Sequence, residues 1–181
     1  TGAPFNAALA AGLLSINQHH GGAIEDSMRM IQSALARTAD GVLTPEQAAE
    51  ALIADFQRDK RRLPGFGHRV HTADPRTKRL LELAQAAGTD GPAVTMLRLI
   101  EDAFAVQSGK RLPVNVDGAL AALLLDLNIP PELGNTFFMM ARVPGLVAQV
   151  YEEKTRERAM RRIHPSDQGY DGPSPRDLPV E

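Results

Sequence analysis

The chain has 181 residues, 43% hydrophobic and 23% charged, with 20 Lys and Arg against 22 Asp and Glu and a formal net charge of −2. This composition suits one globular domain, or one domain with a small lobe, and leaves no basic patch for nucleic acid. Without cysteine there is no disulfide framework or thiolate chemistry, and no apolar run reaches the roughly 18–20 residues that a membrane span needs. A reducing, cytoplasmic setting is the expectation, and the opening "TGAPFNAALAAGLLSIN" reads like the middle of a protein, a fragment or processed product.

In chain order the pattern is helical almost throughout. Pro4–Asn17 is apolar nearly all round, which predicts a buried helix. "HHGG" at 19–22 breaks it, and Ile24, Met28, Ile31 and Leu35 then recur at helical spacing. "TPEQ" at 44–47 has a Thr cap, Pro at the first helical position and Gln at the capping-box position. It predicts a helix to about Arg62 that buries Leu52, Ile53 and Phe56. Asp74-Pro75 starts a helix carrying Leu80, Leu81 and Leu83 and ending near Gly88, and "DGP" at 90–92 starts one with Met96, Leu97, Ile100 and Phe104 inward. "KRLPVNVDG" reads as a short extended segment before a helix over Asp117–Leu127. Pro130-Pro131 opens another helix, Val143–Ile163 follows with a kink at Pro144-Gly145, and an irregular arm runs from Pro165. With no repeat and no useful strand alternation, the fold class is all-α with Pro/Gly-marked connections.

Three of these breaks carry the polar chemistry: 18–22, 64–76 and 113–118. The thirteen residues "PGFGHRVHTADPR" (64–76) hold two each of Gly, Pro, His and Arg, more than a linker needs. Singly, each candidate has a plain reading: His20 as a helix-end histidine, Asp117 as an N-cap, Arg76 and Arg142 as ordinary ion-pair partners. Glycines around His68 allow positive φ and close approach of backbone to a ligand. Together, two histidines and a carboxylate on separate breaks, with arginines nearby, suit removal of a carbon-bound proton beside a carbonyl. The carboxylate takes the proton, one imidazole donates to the forming enolate oxygen, another polarises an acceptor carbonyl, and arginines clamp substrate carboxylates. His19, His20 and Glu25 lack the spacing of helical metal ligands, so no metal is expected.

On "HHGGAIED", "PGFGHRV…DPR", "LPVNVDGALAALL" and "FFMMARVPGLVAQVYEE", in that order over about residues 5–172, the chain resembles the citrate synthase family. The resemblance implies a mostly helical fold with a large and a small domain closing over substrate, working as a homodimer. It gives residues 1–40 as the end of the large domain, 41–140 as the small domain and 141–181 as a C-terminal large-domain helix and arm, the upstream large-domain helices being absent. It makes His20 the hydrogen-bond donor to the thioester enolate, Asp117 the base and His68 the group at the oxaloacetate carbonyl or citryl hydroxyl. Arg76 and Arg142 clamp the oxoacid carboxylates, and Pro64, Gly65, Phe66 and Gly67, with Arg69 beside them, approach coenzyme A. Coenzyme A enters as a thioester co-substrate, with no tightly bound cofactor. His164 stands where synthases place an arginine that reaches a neighbouring subunit's site, and "GHRVHTADPR" is one residue shorter than the usual synthase spacing. "NVDGALAALLLD" and "RRIHPSD" look closer to the citryl-CoA lyase portion of ATP-citrate lyase, which lacks a histidine matching His20. The implied activity makes or cleaves the bond between acetyl-CoA and oxaloacetate, as a citryl-CoA lyase or a citrate synthase. A 2-methylcitrate synthase, or a non-catalytic member that assembles or regulates, is the alternative.

Overall fold

The computed structural model describes residues 2–67, 74–164, 166 and 169–177. Among these the architecture is all-α, as expected. The helices are α1 (Phe5–Leu14), α2 (Ala23–Ala36), α3 (Pro45–Arg58), α4 (Pro75–Ala87), α5 (Pro92–Ser108), α6 (Val116–Asp126) and α7 (Gly134–Arg156), with a 3₁₀ turn at Pro131–Leu133 before α7. Helices α2, α3, α5 and α6 pack around one core, α4 lies on α6, and α1 pairs with α7. On α2 the spacing of Ile24, Met28 and Ile31 puts all three on one fully buried face, against Leu52 and Ile53 of α3 and Leu97 and Ile100 of α5.

Helix starts show how local chemistry and tertiary chemistry share the work. At α3 the Gln47 N–H donates to Thr44 Oγ1 (3.3 Å) and the Thr44 N–H to Gln47 Oε1 (2.9 Å), the reciprocal box the sequence announced. At α5 the expected Asp90 signal is not what caps the helix. The Gly91, Ala93 and Val94 N–H groups donate instead to the Asp126 carboxylate (2.8, 2.9 and 3.1 Å), brought over from the end of α6. At α2, Gly22 offers no side chain, and Asn135 from the start of α7 accepts the Glu25 N–H (3.0 Å). That bond and the Arg29 pairs with Glu25 and Glu132 (both 2.8 Å) tie α7's start to α2's start.

Several expectations are corrected. α1 forms, but none of its residues is buried, and Leu14 is 81% exposed. A helix apolar all round has no polar face to aim at water, so its burial needs a neighbour on every side, and among the described residues α7 is the helix it mainly packs on. α3 ends at Arg58 rather than near Arg62, with Lys60 in the left-handed region (φ 52) turning the chain. Leu83 is 48% exposed, whereas Leu80 and Leu81 pack against the core. The two helices expected after Pro131 are one, running through Pro144 and stopping at Arg156.

Candidate active site

Two of the three breaks are stitched together directly. Phe66 and Val114 form an isolated antiparallel bridge, with the Gly67 N–H donating to Pro113 O (2.7 Å) and the Asn115 N–H to Gly65 O (3.0 Å). Asn115 Nδ2 adds a bond to Gly67 O (2.9 Å). The approach is close enough to require glycine. Gly65 has φ +81, and a Cβ there would stand 2.5 Å from Ser27 Oγ and 2.6 Å from the Gly118 Cα. The third break folds back on itself through paired Asn17 and His20 backbones (2.9 and 3.0 Å), then enters α2 through Gly21 at φ +90.

The chain thereby builds a cavity of about 370 Å3 lined by the Gln18–Ala23 turn, Arg76, Asn115, Val116, Asp117, Phe138 and Arg142. Four residues singled out in the sequence, His20, Arg76, Asp117 and Arg142, meet there from α2's entry, α4, α6 and α7. The N-cap reading of Asp117 fails, because Asn115 Oδ1 already accepts the Asp117 and Gly118 N–H groups (2.9 and 3.2 Å). That leaves the Asp117 carboxyl free of capping duty. Burial raises its pKa above the ordinary aspartate value; the Arg76 charge opposes this and the Asp74 charge adds to it.

Three lining or supporting residues were not on the sequence-derived roster. Phe138 meets the His20 ring edge-on, centroids 5.5 Å apart at 85°, and carries the Arg142 guanidinium 4.7 Å from its ring centre. Its signal was its place one helical turn before Arg142. Asn115 caps α6 and ties the two breaks. Asp74 caps α4 and grips Arg76 through Nε (3.0 Å) and Nη2 (2.9 Å), and the Arg76 guanidinium holds its pKa down to about 2. The sequence showed Asp74 only as a helix start.

The other expected residues are placed differently. His68 and Arg69 lie outside the described residues. His164 is exposed beyond α7 and does not line the cavity. Gly65 and Phe66 are buried in packing, so the 64–67 loop offers a ligand its Pro64 and Gly67 edges rather than its whole length. Beside that loop a second cavity of about 230 Å3 is lined by apolar Phe56, Leu63, Phe104 and Leu112 with Arg61 and Arg62, and Arg61 stacks 4.2 Å over the Phe56 ring. Among the described residues no three metal-ligating side chains come together.

Residues 1–165 match the sequence profile of the citrate synthase C-terminal domain. The chain belongs to the citrate synthase family. The ATP-citrate synthase beta chain protein 1 of Oryza sativa subsp. japonica is 31% identical over 173 residues, covering 87% of this chain. Those residues are 27% of the rice protein, so this chain spans about a quarter of that relative. Citryl-CoA lyase from Hydrogenobacter thermophilus superimposes with a TM-score of 0.81 at 38% identity, over 98% of this chain and 68% of that one. ATP citrate lyase from Methanothrix soehngenii, solved in complex with citrate and coenzyme A, gives 0.69 at 25% identity over 96% of this chain and 29% of that one.

Proposed function

We propose that this citrate synthase-family chain makes or cleaves the carbon–carbon bond of citryl-CoA, joining or separating acetyl-CoA and oxaloacetate. The observation that carries the reading is the meeting of His20, Arg76, Asp117 and Arg142 on one cavity. The 38% identity to a citryl-CoA lyase across nearly the whole chain favours cleavage.

In that direction His68, in the role the family resemblance gives it, accepts the proton of the citryl hydroxyl. The carbonyl of oxaloacetate forms, and the electron pair of the broken bond passes to the acetyl-CoA fragment as its enolate. His20 donates a hydrogen bond to the enolate oxygen, and protonated Asp117 returns a proton to carbon. Arg76 and Arg142 hold the carboxylates. The raised pKa of Asp117 serves both directions, making the group easier to protonate for cleavage and its carboxylate a stronger base for synthesis. Coenzyme A lies along the Pro64–Gly67 edge, its adenine in the neighbouring apolar cavity and its phosphates near Arg61 and Arg62. Activity in deuterium oxide tests the proton route. Cleavage of citryl-CoA should place one deuterium in the acetyl methyl group, and an unlabelled methyl group would contradict Asp117's part.

A second reading, a citrate synthase that also hydrolyses the thioester, is favoured by His20, to which the family resemblance gives the place of the synthases' histidine at the thioester. A 2-methylcitrate synthase would use the same constellation, and the meeting of His20, Arg76, Asp117 and Arg142 on one cavity disfavours a non-catalytic assembly role. We divide the chain at the 18–22 turn rather than at residue 40, because Ile24, Met28 and Ile31 share the core of α3, α5 and α6. The outer α1–α7 pair, which leaves Phe5, Leu14, Val147 and Tyr151 exposed, is where we place the large-domain part and the homodimer contact.

A further inference from the structure

We infer that Asp74 is the positioning residue of this site, holding the guanidinium of Arg76 and the first turn of α6 as one unit, an inference that rests on the reading of the cavity given above. The Asp74 side chain is 1% exposed and that of Arg76 57%. A carboxylate that only capped α4 would need one acceptor for one backbone N–H. Asp74 uses both oxygens fully. Oδ1 accepts the Arg76 backbone N–H (3.0 Å) and Nε–H (3.0 Å), and Oδ2 accepts Nη2–H (2.9 Å) and, across 42 residues of sequence, the Val116 N–H (3.2 Å).

The chemistry of arginine makes this arrangement selective. Of its five N–H donors, Asp74 takes the two on the Nε/Nη2 side, which fixes the plane of the guanidinium. The Nη1/Nη2 end stays available, and it is a matched pair for a carboxylate. Arg76 lines the cavity next to Val116 and Asp117, so the buried carboxylate sets the direction of the grip and the place of the base together. The seam is reinforced from behind: Thr77 Oγ1 donates to Val114 O (3.4 Å), and the Val114 N–H donates to Glu101 Oε1 (3.3 Å). Asp74 touches no reacting atom in this account; it acts through Arg76 and α6.

Asp74→Asn is the informative change. The amide oxygen can keep the α4 cap, while the amide nitrogen cannot accept from Nη2 or from Val116. In the full gene product, the dissociation constants of oxaloacetate and of coenzyme A are measured separately by calorimetry, alongside kcat and KM. The expected result is oxaloacetate binding weakened roughly tenfold or more, a lowered kcat, and coenzyme A binding within about twofold, the scale of a variant that spares that subsite. Arg76→Lys keeps the charge and loses the fork, so it should weaken oxaloacetate similarly, and the double variant should be little worse than either single one. A folded Asp74→Asn protein with unchanged oxaloacetate binding overturns the inference while leaving the reaction assignment intact. Should Asp74→Asn fail to fold, unchanged oxaloacetate binding in Arg76→Lys overturns it equally. A wild-type protein that binds no oxaloacetate and acts on no citryl-CoA overturns the reaction assignment and this inference with it.

Discussion

Asp117 is left a free carboxyl because Asn115, two residues earlier, takes the cap of α6. Burial then makes its ionised form unfavourable, so the site holds this group at the expense of stability. Asp117→Asn should therefore lower turnover by about 10²–10⁴-fold while leaving the thermal midpoint at pH 7 unchanged or raised; a fall in the midpoint with activity retained would show a structural role instead. Asp74 has the opposite sign. Its folded-state pKa of about 2, below the ordinary aspartate value of 3.8, means that its bonds stabilise the fold fully above pH 3.8 and are lost as the pH falls toward 2. Acid titration followed by circular dichroism should show a smaller loss of stability across that window in Asp74→Asn than in the wild type. Phe138 touches both the His20 imidazole and the Arg142 guanidinium, so Phe138→Leu should raise KM and lower kcat together, by several-fold, as expected from losing ring contacts of about 0.5–1.5 kcal/mol each.

Between elements, the tightest point is the crossing of the 64–67 loop over α6. Gly65→Ala would force a side chain onto Ser27 and Gly118 at φ +81, costing about 1–3 kcal/mol in backbone strain before any clash. A midpoint of chemical denaturation equal to wild type would contradict that geometry. Ser27 Oγ, buried there with no hydrogen-bond partner, gives the converse case: Ser27→Ala should be neutral or stabilising. The legibility of the elements follows the same division. The Thr44 box and the Ile24–Met28–Ile31 face were readable because the residues that make up each pattern lie within a turn or two of one another. The Asp126 cap on α5, the Asn135 cap on α2 and the Asp74 link to Val116 were not, because each joins residues far apart in sequence. α1 misled for a related reason: its composition states that it could be buried, and only packing decides whether a neighbour is there. The site was legible as four motifs and invisible as a cavity until the 64–67 and 113–115 segments were seen bridged.

At the scale of the whole molecule, the helices that bury themselves, α2 to α6, carry Asp117, Arg76 and the loop to His68, while α7 brings Arg142 and Phe138 across. His20 sits on the turn between the two groups, so the cavity lies where they meet, a place suited to a substrate that both must hold. The apolar surface of α1 and α7 is where further protein is expected to pack, and sedimentation of the full gene product should give at least twice the single-chain mass if that surface forms a homodimer. The reaction itself is tested most directly by supplying the full gene product with citryl-CoA and, separately, with acetyl-CoA plus oxaloacetate. Acetyl-CoA, free thiol and citrate are then followed by mass spectrometry. The expected result is rapid conversion of citryl-CoA to acetyl-CoA and oxaloacetate with little free thiol, whereas thiol release matched by citrate would identify the synthase reading. Silence with both substrate sets would contradict the assignment of carbon–carbon bond chemistry to this cavity.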